Sequence, residues 1–338
     1  MITAASPLIL IGNDFVASAQ RDQVVDFLAQ QKVYHFTQHP DWARAHDPQD
    51  FVGVGTVCDG LLVAWTLVRR RRLPFVRLSK YFGARGPVAQ DLNAIPQHVA
   101  DLARVLSADG LYLALHPYAF GELGRQLSAL LRGVGFEQRA ADEMYYSATL
   151  AIDLTQPLQN IRAGFRRSIK TQINKSARLG VTVTELTSSS DHQQFAQNYA
   201  LAMRKKGIRT PANLCTLLNI FASSPHGLAL QGHWQGEAVA GIGLVACGSN
   251  LVYEWGYTSP SPEHRALPLQ HALHWQAIQL AKELGFVSYD LGGFWAEAGS
   301  GDPINRFKLG FTNEQQTSAE ALTLYWRPRL ARLITRNN

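Results

Sequence analysis

The order of strands and helices predicted for this chain occurs twice along its length. In each half, neighbouring strands are followed by a helix and then by a further strand, and short stretches of sequence recur with them. Residues 60–64 match 236–240 at an offset of 176, and residues 110–115 match 285–290 at an offset of 175. Two matches at nearly equal offsets, in the same order, indicate a duplicated α/β unit. The 338 residues also suffice for two domains of roughly 100–200 residues.

The predicted elements mix strands and helices in both halves. Two apolar runs joined by Asp59-Gly60 predict a hairpin, because this dipeptide favours a tight turn. The first half is predicted to contain strands at 51–57, 61–68, 111–115 and 143–154 and helices at 92–107 and 122–133. The second is predicted to contain strands at 228–234, 238–245, 251–258 and 286–291 and a helix at 267–284. A polar segment containing Pro157 places the boundary near residue 150, which gives domains 1–150 and 151–338.

Composition narrows the class of protein. Apolar residues make up 46% and charged residues 17%, which excludes a disordered chain. There is no apolar run long enough to span a bilayer and no basic segment before the apolar start, so we expect neither a transmembrane helix nor a signal peptide. Cys58, Cys215 and Cys247 form no CxxC pair, which favours a reducing cytoplasm over a disulfide framework or zinc knuckle.

A net charge of +6 leaves two interpretations open. A basic excess attracts phosphate-rich partners, and it also keeps a protein soluble. The run at 69–72 consists of four arginines and follows a predicted strand. Such a run is typical of a solvated hairpin end, with phosphate contact as the alternative.

The most unusual segment is a helix predicted to begin near Asn160. Its apolar residues recur every four positions and form a stripe along one face: Ile161, Phe165, Ile169, Ile173 and Ala177. The other positions hold six basic residues and no acidic one: Arg162, Arg166, Arg167, Lys170, Lys175 and Arg178. Such charges repel each other unless solvent or a polyanion offsets them. A solvated face and a phosphate-binding face therefore remain as alternatives.

The segment after the strand at 251–258 bears on acyl-CoA binding. In acetyltransferases of the GNAT fold, an Arg/Gln-x-x-Gly-x-Gly/Ala loop at this point binds the CoA pyrophosphate through backbone N–H groups at a helix N-terminus. The equivalent residues here run from Arg265 to Gln270 and lack both small residues. Pro268 has no N–H to donate. The sequence thus disfavours a standard CoA site, although Arg265 remains a candidate for phosphate contact.

Two further residues are candidates for chemistry. Asp290 is expected at the carboxyl end of a strand, where the sites of α/β proteins gather. Lys308 follows a Gly-rich loop at 299–301, and its alternative interpretation is an exposed surface lysine. His264, His271 and His274 lie at helical spacing without supporting carboxylates, so we predict no metal site and assign the histidines to packing or the surface. No catalytic triad order, nucleophile elbow, HExxH or P-loop motif is present.

Five segments together resemble the FemABX family of peptidoglycan aminoacyltransferases. Residues 166–183 resemble its helix–strand entry, and 285–293 (GFVSYDLGG) and 306–311 (RFKLGF) resemble its C-terminal signature. Residues 36–44, with Gln38 and Trp42, and 81–88, with Arg85-Gly-Pro-Val, resemble its N-terminal elements. The resemblance extends over residues 34–315. The chain departs from the family in lacking the helical arm of some members, and the displaced Asp91 leaves a general base unassigned.

The resemblance implies a fold and a set of roles. The fold would be α/β (α+β), with two tandem GNAT-like acyltransferase domains of mixed central sheets flanked by helices. Domain 1–150 would lie on the acceptor side and domain 151–338, with a C-terminal return segment, on the donor side. Lys308 would stabilise the oxyanion, with Asp290 as a second catalytic candidate. Substrate-binding candidates are Arg44, Tyr81, Arg85, Phe307 and Arg265, and tRNA-binding candidates are Arg166, Arg167, Lys170, Lys175 and Arg178.

Three functions follow for testing. The leading hypothesis is a cytoplasmic enzyme that moves an amino acid from aminoacyl-tRNA to an amine acceptor, foremost a peptidoglycan precursor stem peptide. It would need no cofactor, and it leaves peripheral membrane contact and the oligomeric state open. The alternative is an acyl-CoA-dependent GNAT N-acyltransferase acting on a small-molecule or peptide amine. The third is a non-catalytic RNA- or polyanion-binding module that uses the basic helix.

Overall fold

The chain forms two compact units. The structure is a computed structural model, and it describes residues 6–138, 146–223 and 225–335, with the side chains of 298–300 and 332–335 left out of the description. The first unit comprises the residues up to Ser147 together with those from Thr317 onward, and the second comprises Ala148–Gln316. Each unit is built around its own sheet.

The first unit has a mixed sheet with helices packed on it. Its strands are β1 (Leu8–Ile11), β2 (Phe51–Cys58), β3 (Leu61–Arg72), β4 (Ser79–Arg85), β5 (Val88–Ala89), β6 (Gly110–Pro117), β7 (Glu137–Gln138) and β15 (Leu322–Tyr325). Its helices are α1 (Ala19–Ala29), α2 (Pro40–Ala45), α3 (Ile95–Leu106), α4 (Gly121–Gly133) and α12 (Pro328–Thr335). The sheet order is β1-β2-β3-β4-β6-β15-β7, with β5 paired to β3. Strands β4 and β6 are parallel, joined through α3, because parallel neighbours need a crossover.

The second unit repeats this plan. Its strands are β8 (Ala148–Asp153), β9 (Thr182–Glu185), β10 (Gly227–Trp234), β11 (Glu237–Cys247), β12 (Asn250–Thr258), β13 (Ser288–Phe294) and β14 (Gln315–Thr317). Its helices are α5 (Leu158–Gly164), α6 (Arg167–Arg178), α7 (Ser189–Lys205), α8 (Leu214–Phe221), α9 (Pro262–Arg265), α10 (Leu269–Glu283) and α11 (Pro303–Lys308). The sheet order is β14-β8-β13-β12-β11-β10-β9, and β12 and β13 are parallel through the α10 crossover.

The turns of the two long hairpins show why the sequence repeats at residues 60 and 236. Asp59 and Gly60 have φ of 50° and 80°, and Gln235 and Gly236 have φ of 52° and 84°. Two successive residues with positive φ form the type I′ turn, whose twist matches that of the flanking strands. Each hairpin also has a register shift near its turn, one after Thr56 and one after Gly232. The predicted duplication thus coincides with equivalent turns in both units.

The two sheets differ in where one strand comes from. In the first sheet β15, near the end of the chain, pairs with β6, whereas in the second sheet β8 pairs with β13. β8 follows the edge strand β7 of the first unit, and β15 follows the edge strand β14 of the second. The chain therefore passes from one sheet to the other twice. After β7 of the first sheet it enters the second as β8, and after β14 of the second it returns to the first as β15. The second unit therefore differs from the predicted domain 151–338. The division falls after Ser147, and the residues from Thr317 onward belong to the first unit.

The predicted basic helix is two helices. Helix α5 ends at Gly164 and α6 begins at Arg167. Phe165 and Arg166 between them have extended ψ angles of 145° and 149°, which interrupts the helix. The N–H of Arg166 there donates to the carbonyl of Gly310 at 2.9 Å. Ile161, Phe165, Ile169 and Ile173 are buried in the second unit's core, as the stripe predicts. Ala177 is exposed, and Ser176 takes the buried position instead.

Candidate active site

Lys308 lies at the end of α11 and is buried. Asp302 begins this helix by accepting a hydrogen bond from the backbone N–H of Asn305 at 2.8 Å, and Pro303 occupies the first turn. The Lys308 side chain is 6% exposed, and its Nζ donates to the carbonyl oxygen of Gly293 at 2.7 Å. The interpretation of Lys308 as an exposed surface lysine is therefore wrong.

The surroundings of Lys308 set its charge. Burial lowers the pKa of its ammonium from 10.5 to about 8, and the negative charges of Asp290, Asp302 and Glu254 oppose this by raising it. Desolvation disfavours the charged form, and nearby carboxylates favour it. With a pKa near 8, Lys308 is mostly protonated at neutral pH. The site thus holds a positive charge in surroundings from which water is largely excluded.

Asp290 shapes the strand that faces Lys308. It lies within β13, two residues before Gly292, whereas the sequence prediction placed it at the carboxyl end of a strand. Its Oδ1 accepts from the N–H of Gly292 at 2.7 Å and from the hydroxyl of Thr149 on β8. The pairing of β13 with β8 shifts register between Asp290 and Gly293. Asp290 therefore anchors an irregularity that ends at the carbonyl bound by Lys308.

Gly292 permits this irregularity. Its φ is +73°, a conformation that favours glycine. A Cβ here would lie 2.9 Å from the carbonyl oxygen of Tyr253, which is closer than a side chain tolerates. The two glycines of the sequence motif at 292–293 thus have distinct roles, one conformational and one as the partner of Lys308.

Phe307 joins an aromatic cluster beside this lysine. Its ring centroid lies 5.2 Å from those of His271 and Phe311 and 5.4 Å from that of His274. His274 is buried, and its Nδ1 lies 2.6 Å from the hydroxyl of Tyr289. The cluster shields one side of the Lys308 site with rings from α10 and α11.

Both histidines of the cluster are neutral. Burial lowers the pKa of His274 to about 3, with smaller contributions from Lys308 and His271, and burial lowers that of His271 to about 4. Among the described residues, His274 Nε2 and His271 Nδ1 have no hydrogen-bond partner. The sequence prediction assigned these histidines to packing or the surface and missed their place beside Lys308. Their spacing on the helix after a central strand was the available signal.

The Arg265 side chain binds the loop before α9. Its guanidinium donates twice to the carbonyl of Pro260, at 2.8 and 3.1 Å. The N-cap position of α10 is Pro268, and Gln270, two residues later, donates to the carbonyl of Tyr257 at 2.7 Å. This helix end therefore lacks the small-residue loop that exposes backbone N–H groups to a pyrophosphate.

The basic residues of α6 form a cationic surface on the second unit. Arg166, Arg167, Lys175 and Arg178 are exposed, and Lys170 is half-buried with its Nζ 3.0 Å from the carbonyl of Ala163. Arg166 donates to Asn313 at 3.3 Å. Within the described ranges, no salt bridge involves any of these five side chains. Their charge is therefore available to an anionic partner.

In the first unit, Tyr81 is buried and its hydroxyl has a partner. It is 3% exposed, and its hydroxyl donates to Asp109 at 2.8 Å. Burial, followed by this hydrogen bond and the Asp109 charge, raises the pKa of Tyr81 above its usual range. Trp326 packs edge-on against its ring. The substrate-binding role of Tyr81 stays a prediction, and in the structure its side chain packs in the core cluster of the first unit.

Arg85 and Arg44 remain candidates for binding an anion. Arg44 is 43% exposed and forms a 2.9 Å salt bridge with Asp41. The Arg85 guanidinium lies 3.0 Å from Nδ1 of His116 and 4.3 Å from the ring centroid of Tyr146. Because arginine only donates, Nδ1 of His116 accepts and its proton lies on Nε2, 3.3 Å from the hydroxyl of Ser318. These contacts hold the guanidinium of Arg85 in place.

The described residues contain no group of acidic, histidine or cysteine side chains arranged to hold a metal ion. In the same part of the chain, no helix combines the length and apolar character needed to cross a bilayer.

A known protein family matches the part of the chain that contains Lys308. Residues 163–308 match the model of the acetyltransferase (GNAT) domain family, a segment that ends at Lys308. A search of curated proteins by sequence finds no match. The family match identifies an acyltransferase domain in the second unit, and it confirms the prediction that the protein is an acyltransferase.

Solved structures extend the match to both units. The crystal structure of FemX is 13% identical, covers 94% of this chain and 99% of its own, and superposes with a TM-score of 0.81. The C-terminal domain of a putative lysylphosphatidylglycerol synthetase from Agrobacterium fabrum is 13% identical, with 90% of each chain covered and a TM-score of 0.58. A tandem GNAT protein from the clavulanic acid biosynthesis pathway is 10% identical, with 95% and 98% covered and a TM-score of 0.50.

These similarities confirm the predicted fold. The chain has two GNAT-like units in tandem, each with a mixed sheet flanked by helices, and its fold is that of FemX. The resemblance to the FemABX family, predicted from five short segments, is thus confirmed at the level of the fold.

Proposed function

We propose that this protein is an aminoacyltransferase that moves an amino acid from aminoacyl-tRNA to the amine of a peptidoglycan precursor stem peptide. The main support is Lys308, a buried cation with a carbonyl partner at 2.7 Å, at the end of the segment that matches the GNAT family. The likeness to FemX over 94% of the chain supports the same reaction class. We place the reaction in the cytoplasm, where charged tRNA is made.

Lys308 would act on the charge that develops during transfer. The acceptor amine attacks the ester carbonyl of the aminoacyl group, a C–N bond forms, and the carbonyl oxygen becomes an oxyanion. The ammonium of Lys308 would donate to this oxyanion in place of, or alongside, the Gly293 carbonyl. A preorganised donor at a water-excluded site stabilises the transition state more than it stabilises the substrate.

The remaining bond and proton changes need no metal or cofactor. The C–O bond to the ribose breaks as the oxyanion collapses, and the ribose oxygen takes the proton released by the attacking amine. Asp290 would act through Lys308 by raising the pKa of the ammonium and by anchoring the strand beside it. Phe307 would form one wall of the aminoacyl site through the aromatic cluster.

The charge distribution supports tRNA as the donor. Arg166, Arg167, Lys170, Lys175 and Arg178 form a surface without acidic partners among the described salt bridges. An RNA duplex is recognised largely through its phosphates and 2′-hydroxyls. Acyl-CoA is the weaker donor candidate, because Pro268 precedes α10 and Arg265 already donates to Pro260. Arg85 and Arg44 would bind anionic groups of the acceptor.

A transfer assay tests the proposal. Purified protein is mixed with a charged total tRNA pool and a UDP-linked muramyl pentapeptide, and the products are analysed by mass spectrometry. We expect the acceptor to gain the mass of one amino-acid residue, and the gain to disappear when the tRNA is first digested with RNase. Transfer from acyl-CoA to the same acceptor, with no product from charged tRNA, would overturn the proposal.

A further inference from the structure

The β3–β4 hairpin of the first unit ends in an exposed apolar tip. Phe75 is 105% exposed, so its ring does not pack against the protein, and Val76 is 51% exposed. The N–H of Leu73 donates to the carbonyl of Leu78 at 2.8 Å, which closes the hairpin just below them. Residues 73–78 are named the hairpin tip below.

The backbone of the hairpin tip is one that usually excludes phenylalanine. Phe75 has a φ of +66° and follows Pro74, the residue order of a type II turn, whose third position favours glycine or asparagine. A bulky side chain with positive φ is uncommon and strained. Strain of this kind at an exposed residue points to a role for the side chain itself.

The strands that lead to the hairpin tip are strongly basic. Residues 61–90 contain no Asp or Glu, and they contain seven basic residues: Arg69, Arg70, Arg71, Arg72, Arg77, Lys80 and Arg85. Arg71 and Arg72 directly precede the hairpin tip, Arg77 lies within it, and all three are exposed. Within the described ranges, the salt bridges of this stretch involve only Arg69, which lies 3.5 Å from Asp50. Three exposed cations therefore surround two exposed apolar side chains.

The base of the hairpin is firmly packed. Leu73 and Phe82 pack against a cluster formed by Leu111, Tyr112, Ala114 and Ala331. Arg71 lies over the ring of Phe82 at 5.2 Å, and Lys80 lies over that of Tyr112 at 5.9 Å. The exposed tip therefore projects from a rigid support, so little order has to be gained when it binds a partner.

We propose that the hairpin tip docks on an anionic lipid surface. Phe75 and Val76 would enter the boundary between headgroups and acyl chains, where aromatic residues are enriched. Arg71, Arg72 and Arg77 would lie among the lipid phosphates, which attract clustered basic residues close to a membrane. The surface would hold the protein at a membrane without a spanning helix, and it does not depend on the reaction proposed above.

The combination of side chains favours a lipid over RNA. Single-stranded RNA binds through aromatic rings on which bases stack, set in a basic groove. The hairpin tip instead adds aliphatic Val76 and Pro74 to Phe75, in the turn that joins β3 to β4. An aliphatic side chain such as Val76 gains free energy in hydrocarbon, whereas base stacking requires a flat aromatic ring.

Vesicle co-sedimentation of the full chain tests this proposal. The vesicles contain phosphatidylcholine with or without phosphatidylglycerol, and the variants are Phe75→Asn/Val76→Ser, Arg71→Gln/Arg72→Gln/Arg77→Gln and Phe75→Trp. Asparagine tolerates positive φ, so the first variant keeps the turn. Leu61→Asn is the matched control, because Leu61 is 70% exposed at the start of β3, beside the other hairpin turn.

We expect binding to the anionic vesicles only. Phe75→Asn/Val76→Ser and the arginine variant should each lower it by about tenfold or more, while Phe75→Trp and Leu61→Asn should retain it. Binding that depends on the arginines and is unchanged by Phe75→Asn/Val76→Ser would overturn the proposed insertion. A second result would also overturn the proposal: the Phe75→Asn/Val76→Ser variant loses affinity for total tRNA and still binds vesicles. That result would assign the hairpin tip to RNA binding.

Discussion

The ammonium of Lys308 and the carbonyl oxygen of Gly293 form a 2.7 Å hydrogen bond between the end of α11 and β13. This bond satisfies one of the three donors of the ammonium. It also fixes the lysine beside the strand irregularity that Asp290 anchors through the N–H of Gly292. A backbone carbonyl and the buried surroundings thus determine where the charge lies.

Replacing Lys308 should affect turnover and its dependence on pH. Lys308→Ala should lower kcat by roughly 10²–10³-fold, the usual effect of losing one oxyanion donor. In the native enzyme kcat should fall as the pH rises through about 8, because the ammonium then loses its proton. Lys308→Arg should abolish that fall, since arginine stays charged. Unchanged turnover in Lys308→Ala would remove Lys308 from the mechanism.

Lys308 should also make stability depend on pH. The folded protein releases this proton near pH 8 and the unfolded chain near 10.5, so the unfolded state binds more protons between these values. The free energy of unfolding should therefore rise with pH across this window, by up to about 3 kcal/mol. Urea unfolding should show Lys308→Met more stable than the native protein at pH 7, with the difference shrinking towards pH 10. A difference that is constant with pH would contradict the burial of a charged lysine.

Asp290 should tune the lysine without touching the substrate. Its negative charge raises the pKa of Lys308, so Asp290→Asn should move the alkaline fall in kcat to lower pH, by roughly one unit. The amide oxygen can still accept from Gly292. Thr149→Val is the matched control, because it removes a hydrogen bond to Asp290 and leaves the charge. An equal shift in both variants would assign the effect to strand geometry.

The features predicted correctly from the sequence are those fixed by neighbouring residues. Asp59-Gly60 determines its turn through positive φ, and Gly236 does the same in the second unit. The apolar stripe at Ile161, Phe165, Ile169 and Ile173 is buried. Local patterns of this kind require no knowledge of distant partners.

The features that could not be predicted depend on distant segments. No local pattern in Leu322–Tyr325 indicates that this strand pairs with β6, because pairing partners are chosen by the whole sheet. The burial of Lys308 depends on the β13 carbonyl and on rings from α10, and lysines are almost always exposed. The hydrogen bond of the Tyr81 hydroxyl likewise depends on a distant residue, because its partner Asp109 lies in a loop 28 residues away.

Arg85 should contribute to acceptor binding in the first unit. Its guanidinium is held by His116 and lies over the Tyr146 ring, so its planar face is oriented before any anion arrives. Arg85→Lys should raise the KM for the muramyl pentapeptide by roughly tenfold with little change in kcat. Arg125→Lys, an exposed residue paired with Glu122 in the same unit, is the control. A fall in kcat at unchanged KM would argue against this role.

The basic surface of α6 should determine affinity for the donor. Arg167→Gln/Lys175→Gln/Arg178→Gln should weaken tRNA binding and reduce the slope of log affinity against log salt, by roughly 0.7–0.9 for each phosphate that the protein no longer neutralises. The control is Arg204→Gln/Lys205→Gln/Lys206→Gln at the end of α7, where exposed residues give the same change in charge. Both variants lower the net charge equally, so a smaller slope in the first alone assigns phosphate binding to α6. Equal slopes would leave only a general effect of net charge and would contradict a tRNA-binding face.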